Sequence, residues 1–266
     1  MQDRVWQTAE LTQTYLEGVR GAIPQAEVQL EVMLRLIEAA GVEVTAVLDL
    51  GCGDGILGQL VLDRYPAAHG VFLDFSAPML AAAAKRLAGY GNVTLVEADY
   101  GVKGWEEGKR GLGDWETGPV QSPNRSVPQS QVQQLFDVIV SGYSIHHQPD
   151  GRKQELYAEL FNLLRPGGIF INIEHVASDS AWGKGVFDEM FIDALTSYHQ
   201  QNGKGQSRAV LAQDFYNRPD KGANILAPVE VQCDWLRQIG FERVDCYQKL
   251  FELAVFGGVK PVSSEN

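Results

Sequence analysis

The nine residues Val47-Leu48-Asp49-Leu50-Gly51-Cys52-Gly53-Asp54-Gly55 run an apolar stretch straight into alternating glycines. Glycine lets the backbone approach a ligand closely and adopt dihedrals that a Cβ forbids, so the segment reads as a ligand cradle or as a bare strand-to-helix turn. Gly53-Asp54-Gly55-Ile56-Leu57-Gly58 also satisfies the GxGxxG pattern of dinucleotide sites, which alone is weak. Its register argues against that use. The first glycine after the apolar run is Gly51, giving GxGxG, and two acids, Asp49 and Asp54, flank the turn. A pyrophosphate would be repelled there, whereas a ligand with an ammonium and a sulfonium suits the field.

Further candidates follow later apolar runs. Asp74 and Asp99 come at or just after the second and third of these runs. A carboxylate at the C-terminal end of a strand can accept two hydroxyl protons, and such ends line the ligand crevice of open α/β sheets. Tyr143, His146 and His147 follow the fourth run. A histidine there has the intrinsic pKa of a general base near neutrality, and a role in shaping the pocket stays open beside it. Glu174 and His175 end the fifth run as candidate contacts to a second substrate.

These residues need a frame that brings strand ends together. Apolar runs at 44–50, 70–74, 93–97, 136–140 and 169–173 alternate with helical stretches at 55–65, 76–88 and 149–164. That βαβα rhythm implies a parallel sheet with right-handed crossovers. Ser76 caps the second of these helices, with Pro78 in its first turn. Arg165-Pro166-Gly167-Gly168 breaks the third. Residues 1–43 read as helices preceding the sheet, with Pro24 near the start of one. Residues 101–131, rich in Gly, Pro, Ser and Gln and containing Trp105 and Trp115, read as an insertion. Residues 178–201 form a helix with an aromatic load of Trp182, Phe187 and Phe191, opening a region to about residue 222 that could cover the site. A helix at 228–239 and strands at 241–246 and 250–256, close enough to be antiparallel neighbours, complete a single domain.

The glycine turn, Phe72-Leu73-Asp74-Phe75-Ser76, Glu97-Ala98-Asp99-Tyr100, Phe136-Asp137-Val138-Ile139-Val140-Ser141 and Leu164-Arg165-Pro166-Gly167-Gly168 together resemble the class I S-adenosylmethionine-dependent methyltransferases over about residues 20–258. The resemblance implies a Rossmann-like α/β fold: a seven-stranded, mostly parallel sheet with helices on both faces and a C-terminal antiparallel hairpin. It implies S-adenosylmethionine as cofactor, held by Asp49, Gly51, Cys52, Gly53 and Gly55. Asp74, beside Phe75, would grip the ribose hydroxyls and Asp99 the adenine amino group. Tyr100 would flank the adenine ring and Met79 would pack on it. Ser141 and Gly142 would hold the methionyl part through backbone groups, and Arg20 would meet its carboxylate. Ser144-Ile145-His146-His147 resembles a pattern in which a histidine shapes the cofactor pocket, leaving Tyr143, His146 and His147 as the catalytic candidates. The sulfonium already carries an activated methyl group, so few acceptor-side residues are compulsory.

Residues 227–258 resemble the end of carboxy-S-adenosylmethionine synthases and their methyltransferase-like relatives. Such chemistry would need cations beside the methyl position, for which Arg208 and Arg218 are the candidates. Two more functions compatible with a glycine turn are a module that holds S-adenosylmethionine without turnover and a nicotinamide-dependent oxidoreductase.

With 266 residues, 45% hydrophobic, the chain can bury one sizeable core. No stretch reaches the roughly 20 apolar residues of a membrane span, and the first residues lack a signal pattern, so a cytoplasmic location is expected. Three scattered cysteines without a CxxC pair suggest neither disulfides nor a metal site. The net charge of -12 disfavours nucleic acid as a partner, because that affinity comes from clustered Lys and Arg. The expectation is a small-molecule acceptor and a monomer or homodimer.

Overall fold

The structure, a computed structural model, describes residues 20–107 and 136–262. Most of the expected insertion, Trp115 included, and the earlier part of the N-terminal helical region lie outside the described residues. A helix α1 (Ala26–Ala40) leads into β1 (Ala46–Leu50), α2 (Ile56–Arg64), β2 (His69–Asp74), α3 (Ala77–Arg86) and β3 (Val93–Glu97). Then come β4 (Phe136–Gly142), α4 (Asp150–Leu163), β5 (Leu164–His175), α5 (Ala181–Gln201), α6 (Arg208–Asn217), α7 (Val229–Ile239), β6 (Glu242–Leu250) and β7 (Leu253–Val259).

Seven strands form one sheet in the order β3-β2-β1-β4-β5-β7-β6. The first five are parallel, and β7 runs antiparallel to both β5 and β6. The side-chain alternation of β1 shows why both faces are covered. Leu48 and Leu50 join a core with Leu156 and Leu160 of α4 and Val229 and Leu236 of α7. Val47 joins the opposite core with Met33 and Ile37 of α1, Val61 of α2 and Leu80 of α3. Both faces are therefore dry, which is why the central strands read as continuous apolar runs. The edge strands β3 and β6 keep alternating exposure. The order of the first four strands reverses at β1, which creates a crevice at the carboxyl ends of β1 and β4.

Several boundaries differ from those expected. Arg165-Pro166-Gly167-Gly168 does more than stop a helix: β5 begins at Leu164, because Gly167 and Gly168 exchange backbone hydrogen bonds of 2.8 Å with Lys260. Gly167 supplies the left-handed φ of +82° that this approach requires. The hairpin lies later than 241–256. Phe251, at φ +52°, makes the turn, and buried Glu252 aims at His175 across the sheet. The polar, glycine-containing pattern after residue 201 gives way to α6, capped by Ser207, whose Oγ accepts from the Val210 N–H. Phe215 of that helix joins Phe187, Phe191 and Leu195 of α5 in a third apolar cluster with Leu253. This α5–α6 layer sits against the turn Arg20–Ala22, through contacts of Ala22 with that cluster.

Candidate active site

A cavity of about 310 Å³ opens at the carboxyl ends of the strands, within the roughly 300–1,000 Å³ typical of small-molecule sites. One half is walled by Gly51 to Asp54, Asp74, Phe75, Met79, Asp99 and Tyr100. The other is walled by the loop after β4, the end of β5 and the layer of α5 and α6. The strand ends expected from the sequence do meet, and the second half carries most of what sequence reasoning misses.

The first half is built on backbone that only glycine tolerates. Gly51, Gly53 and Gly55 have φ of +63°, +55° and +80°. A Cβ on Gly51 would stand 1.8 Å from Ser144 Oγ, and one on Gly53 would meet only Met79 Sδ at 3.8 Å. Gly51 is therefore bare because the β4 loop closes on it, and Gly53 because of its conformation. Gly55 does not face the cavity; it turns the chain into α2 beside Phe72 and Leu87. Ser141 is likewise withdrawn, its hydroxyl donating to the Leu50 carbonyl at 2.8 Å, while Gly142 lines the wall.

Asp74 ties this turn to the next element. Its Oδ2 accepts from the Gly53 N–H and its Oδ1 from the Ser76 N–H, each at 2.8 Å. Burial pushes its carboxyl above the usual range, against the pull of those backbone donors. Asp49 is buried deeper. Its Oδ2 accepts from the Gly58 N–H at 2.8 Å, whereas its Oδ1 has no partner among the described residues. Desolvation raises its carboxyl well above the ordinary value, with Asp54 and Asp74 adding repulsion. A buried carboxylate oxygen left without a donor costs about 1–3 kcal/mol, so the site calls for a donor or a positive charge in the cavity.

Asp54 contributes less negative field than its position in the motif suggests. Arg20 pairs with its Oδ1, and Arg86 holds its Oδ2 through Nε and Nη2 at 3.2 and 2.5 Å. Despite the opposing effect of burial, these two arginines lower its pKa. Arg20 therefore reaches the cavity wall engaged with Asp54. Asp99 is exposed and accepts from the Gly101 N–H at 2.8 Å. Tyr100 is buried, with its hydroxyl bonded to Ser144. Cys52 is a buried free thiol whose pKa is raised well above the ordinary value, chiefly by burial.

On the other side, Tyr143 takes a left-handed φ of +50° and its hydroxyl donates to Gln29 Oε1 at 2.7 Å. Gln29, a polar position in the buried stripe with Met33 and Ile37, is the signal on α1 that could have revealed this contact in the sequence. His146 is buried with Nδ1 2.6 Å from Glu174 Oε1, and its N–H donates to Oε2 at 3.0 Å. Burial pushes the Glu174 carboxyl up to about 7 and holds the His146 imidazole well below its ordinary value, with His175 and Lys153 adding to the latter effect. The His147 ring packs against that of His146, tilted by 49° with centroids 4.0 Å apart, and His175 pairs with Glu252 at 2.9 Å. His146, His147 and His175 all line the cavity. Arg208 is remote from it, held on the surface by Glu189 and Asp193, whereas Arg218 is in the wall.

A family profile described as a methyltransferase domain matches residues 48–170, from within β1 through the glycine turn to β5. Over those residues the chain is similar to a methyltransferase domain. The chain is 31% identical to a trans-aconitate 2-methyltransferase from an Acidovorax species over an alignment of 149 positions that covers 51% of this chain and 45% of that protein. It is 27% identical to a demethylmenaquinone methyltransferase from Leptospira interrogans over 80% of this chain and 72% of that one. The chain thus spans about half the length of the trans-aconitate enzyme. In fold it resembles a putative S-adenosyl-L-methionine-dependent methyltransferase from Methanococcus maripaludis, with a TM-score of 0.53 at 15% identity over 98% of this chain and 94% of that one. Among the described residues, no helix is long and apolar enough to cross a membrane.

Proposed function

We propose that the protein transfers the methyl group of S-adenosylmethionine to a small organic molecule held between the β4 loop and the α5–α6 layer, and that residues 20–262 act as one catalytic unit. The reading rests on one observation: the glycine cradle with its unsatisfied Asp49 oxygen opens into the same cavity as an aromatic chamber. Asp49 and the backbone of Gly51 to Gly53 would hold the cofactor's charged amino-acid end. Asp74 would accept its ribose hydroxyls with the lone pairs its backbone donors leave over. Tyr100 and Met79 would enclose the adenine, with Asp99 at its amino edge. The cofactor, when bound, supplies an activated methyl group on a sulfonium.

The remaining work falls to this chain's own residues. Phe187, Phe191, Phe215 and Leu253 exclude water and orient an apolar acceptor body. His146 and Glu174 titrate as a unit, since burial disfavours the charged form of each. Once that pair has lost its proton near neutrality, it can take one from an O–H or N–H acceptor, with His147 and Tyr143 shaping the approach. Glu174 also accepts from the His146 and His175 N–H groups, so it fixes the loop that carries the base.

The test is transfer from S-adenosylmethionine labelled on its methyl group into size-fractionated cell extract. Label in the small-molecule fraction, lost with Asp74→Ala, supports the reading. Label confined to protein or RNA overturns it.

A further inference from the structure

The acceptor chamber carries a cation that no carboxylate among the described residues pairs with. Lys221 lines the cavity, and its ammonium lies 4.3 Å from the ring centre of Phe215 and 4.7 Å from that of Tyr216. The acids nearby are committed elsewhere: Asp188 holds Lys184 with both oxygens, at 3.0 and 2.9 Å, and Glu252 holds His175. Burial lowers the Lys221 pKa, a sign that its charge is poorly solvated without a ligand. The guanidinium of Arg218 lies over another part of the same surface, 5.4 Å from the Phe215 centre.

The Phe215 and Tyr216 rings, which an incoming amine could use, are therefore already engaged by the chain's own cations. Next to them Phe187, Phe191 and Leu253 offer an apolar floor. We infer that the methyl acceptor is an organic acid, an apolar or planar body with a carboxylate or comparable anion set against Lys221 on the Arg218 side of the chamber. The inference rests on the proposed division of the cavity into cofactor and acceptor halves. It makes the positive charge a specificity device: an anion gains a desolvated partner, whereas a neutral analogue leaves the ammonium unpaired.

The experiment is calorimetric titration of protein saturated with S-adenosylhomocysteine, using matched acids and amides: trans-cinnamate against cinnamamide, and octanoate against octanamide. For at least one pair the acid is expected to bind about tenfold or more tightly than the amide, the discrimination expected of a partly buried charge-assisted contact. Lys221→Met keeps the apolar stem and should bring the two affinities together, while Lys221→Arg should keep them apart. The folding of both variants is checked by thermal unfolding. Equal affinity of acids and amides, or no binding by any acid to the saturated protein, overturns the inference. If S-adenosylhomocysteine itself fails to bind, the reading of the cofactor half falls, and this inference falls with it.

Discussion

Replacing Asp74 with alanine separates the structural job of one carboxylate from the ligand-binding job proposed for it. In the protein alone it accepts N–H bonds from Gly53 and Ser76, both 2.8 Å long. Bonds to a charged acceptor are worth about 1.5–3 kcal/mol each, but the buried carboxylate also carries a desolvation cost, which its raised pKa records. The expected net loss of stability is about 2 kcal/mol, well inside the roughly 5–15 kcal/mol of a typical domain, so the variant stays folded. The ribose contacts should be worth a further 1–3 kcal/mol or so, a loss of about 5- to 150-fold in affinity for S-adenosylhomocysteine by calorimetry. A loosened glycine turn could weaken binding without any ribose contact. A double cycle with the 2′-deoxy analogue removes that ambiguity: the parent should discriminate against the analogue and Asp74→Ala should not, leaving a coupling of about 1 kcal/mol or more. Zero coupling in a folded variant would refute the ribose assignment, whatever happened to the absolute affinities.

Gly51→Ala should be far more damaging than its size suggests, because its Cβ would sit 1.8 Å from Ser144 Oγ at a φ of +63°. An affinity loss of about 100-fold for S-adenosylhomocysteine is expected, with Gly89→Ala, where a Cβ meets nothing within 4 Å, unchanged as control. Glu174→Gln tests the buried pair through pH. The native carboxyl titrates at about 7 against an ordinary 4.5, so native protein holds a proton that the unfolded chain has released between those values. Its contribution to stability is therefore complete below 4.5 and fades as pH rises to about 7. His146, shifted downward, acts in the opposite sense, favouring the folded state above 6.5 and weakening it as pH falls below that value. Urea unfolding across this range should show the variant gaining on the parent by about 1–3 kcal/mol as pH rises, and a constant difference would count against the shift.

The glycine-turn half of the cavity is legible in the sequence because its requirements are local. Alternating glycines after an apolar run point to φ above zero, and Asp74 and Asp99 follow apolar runs that the sheet turns into neighbouring strands. The half beside α5 and α6 depends on distant residues meeting. Nothing around Lys221 announces that α6 folds back so that Phe215 carries its ammonium, and Arg208, equally basic, ends up on the surface. Asp54 has the look of a source of negative field in the sequence, but Arg20 and Arg86, 34 and 32 residues away, neutralise it. The early start of β5 is hidden for the same reason, since Gly167 and Gly168 become strand only through pairing with Lys260. Tyr143, His146 and His147 stand out from their loop, but that the His146 ring faces Glu174 follows only from the β4–β5 pairing.

The most direct measurement is calorimetric titration of the purified protein with S-adenosylmethionine, S-adenosylhomocysteine and NAD side by side. The cradle around Asp49 and Asp74 should take both sulfur ligands at about micromolar dissociation constants, near -8 kcal/mol, and give no heat with NAD. Binding of NAD, or silence from both sulfur ligands in folded protein, would contradict the assignment of the glycine turn as an S-adenosylmethionine cradle.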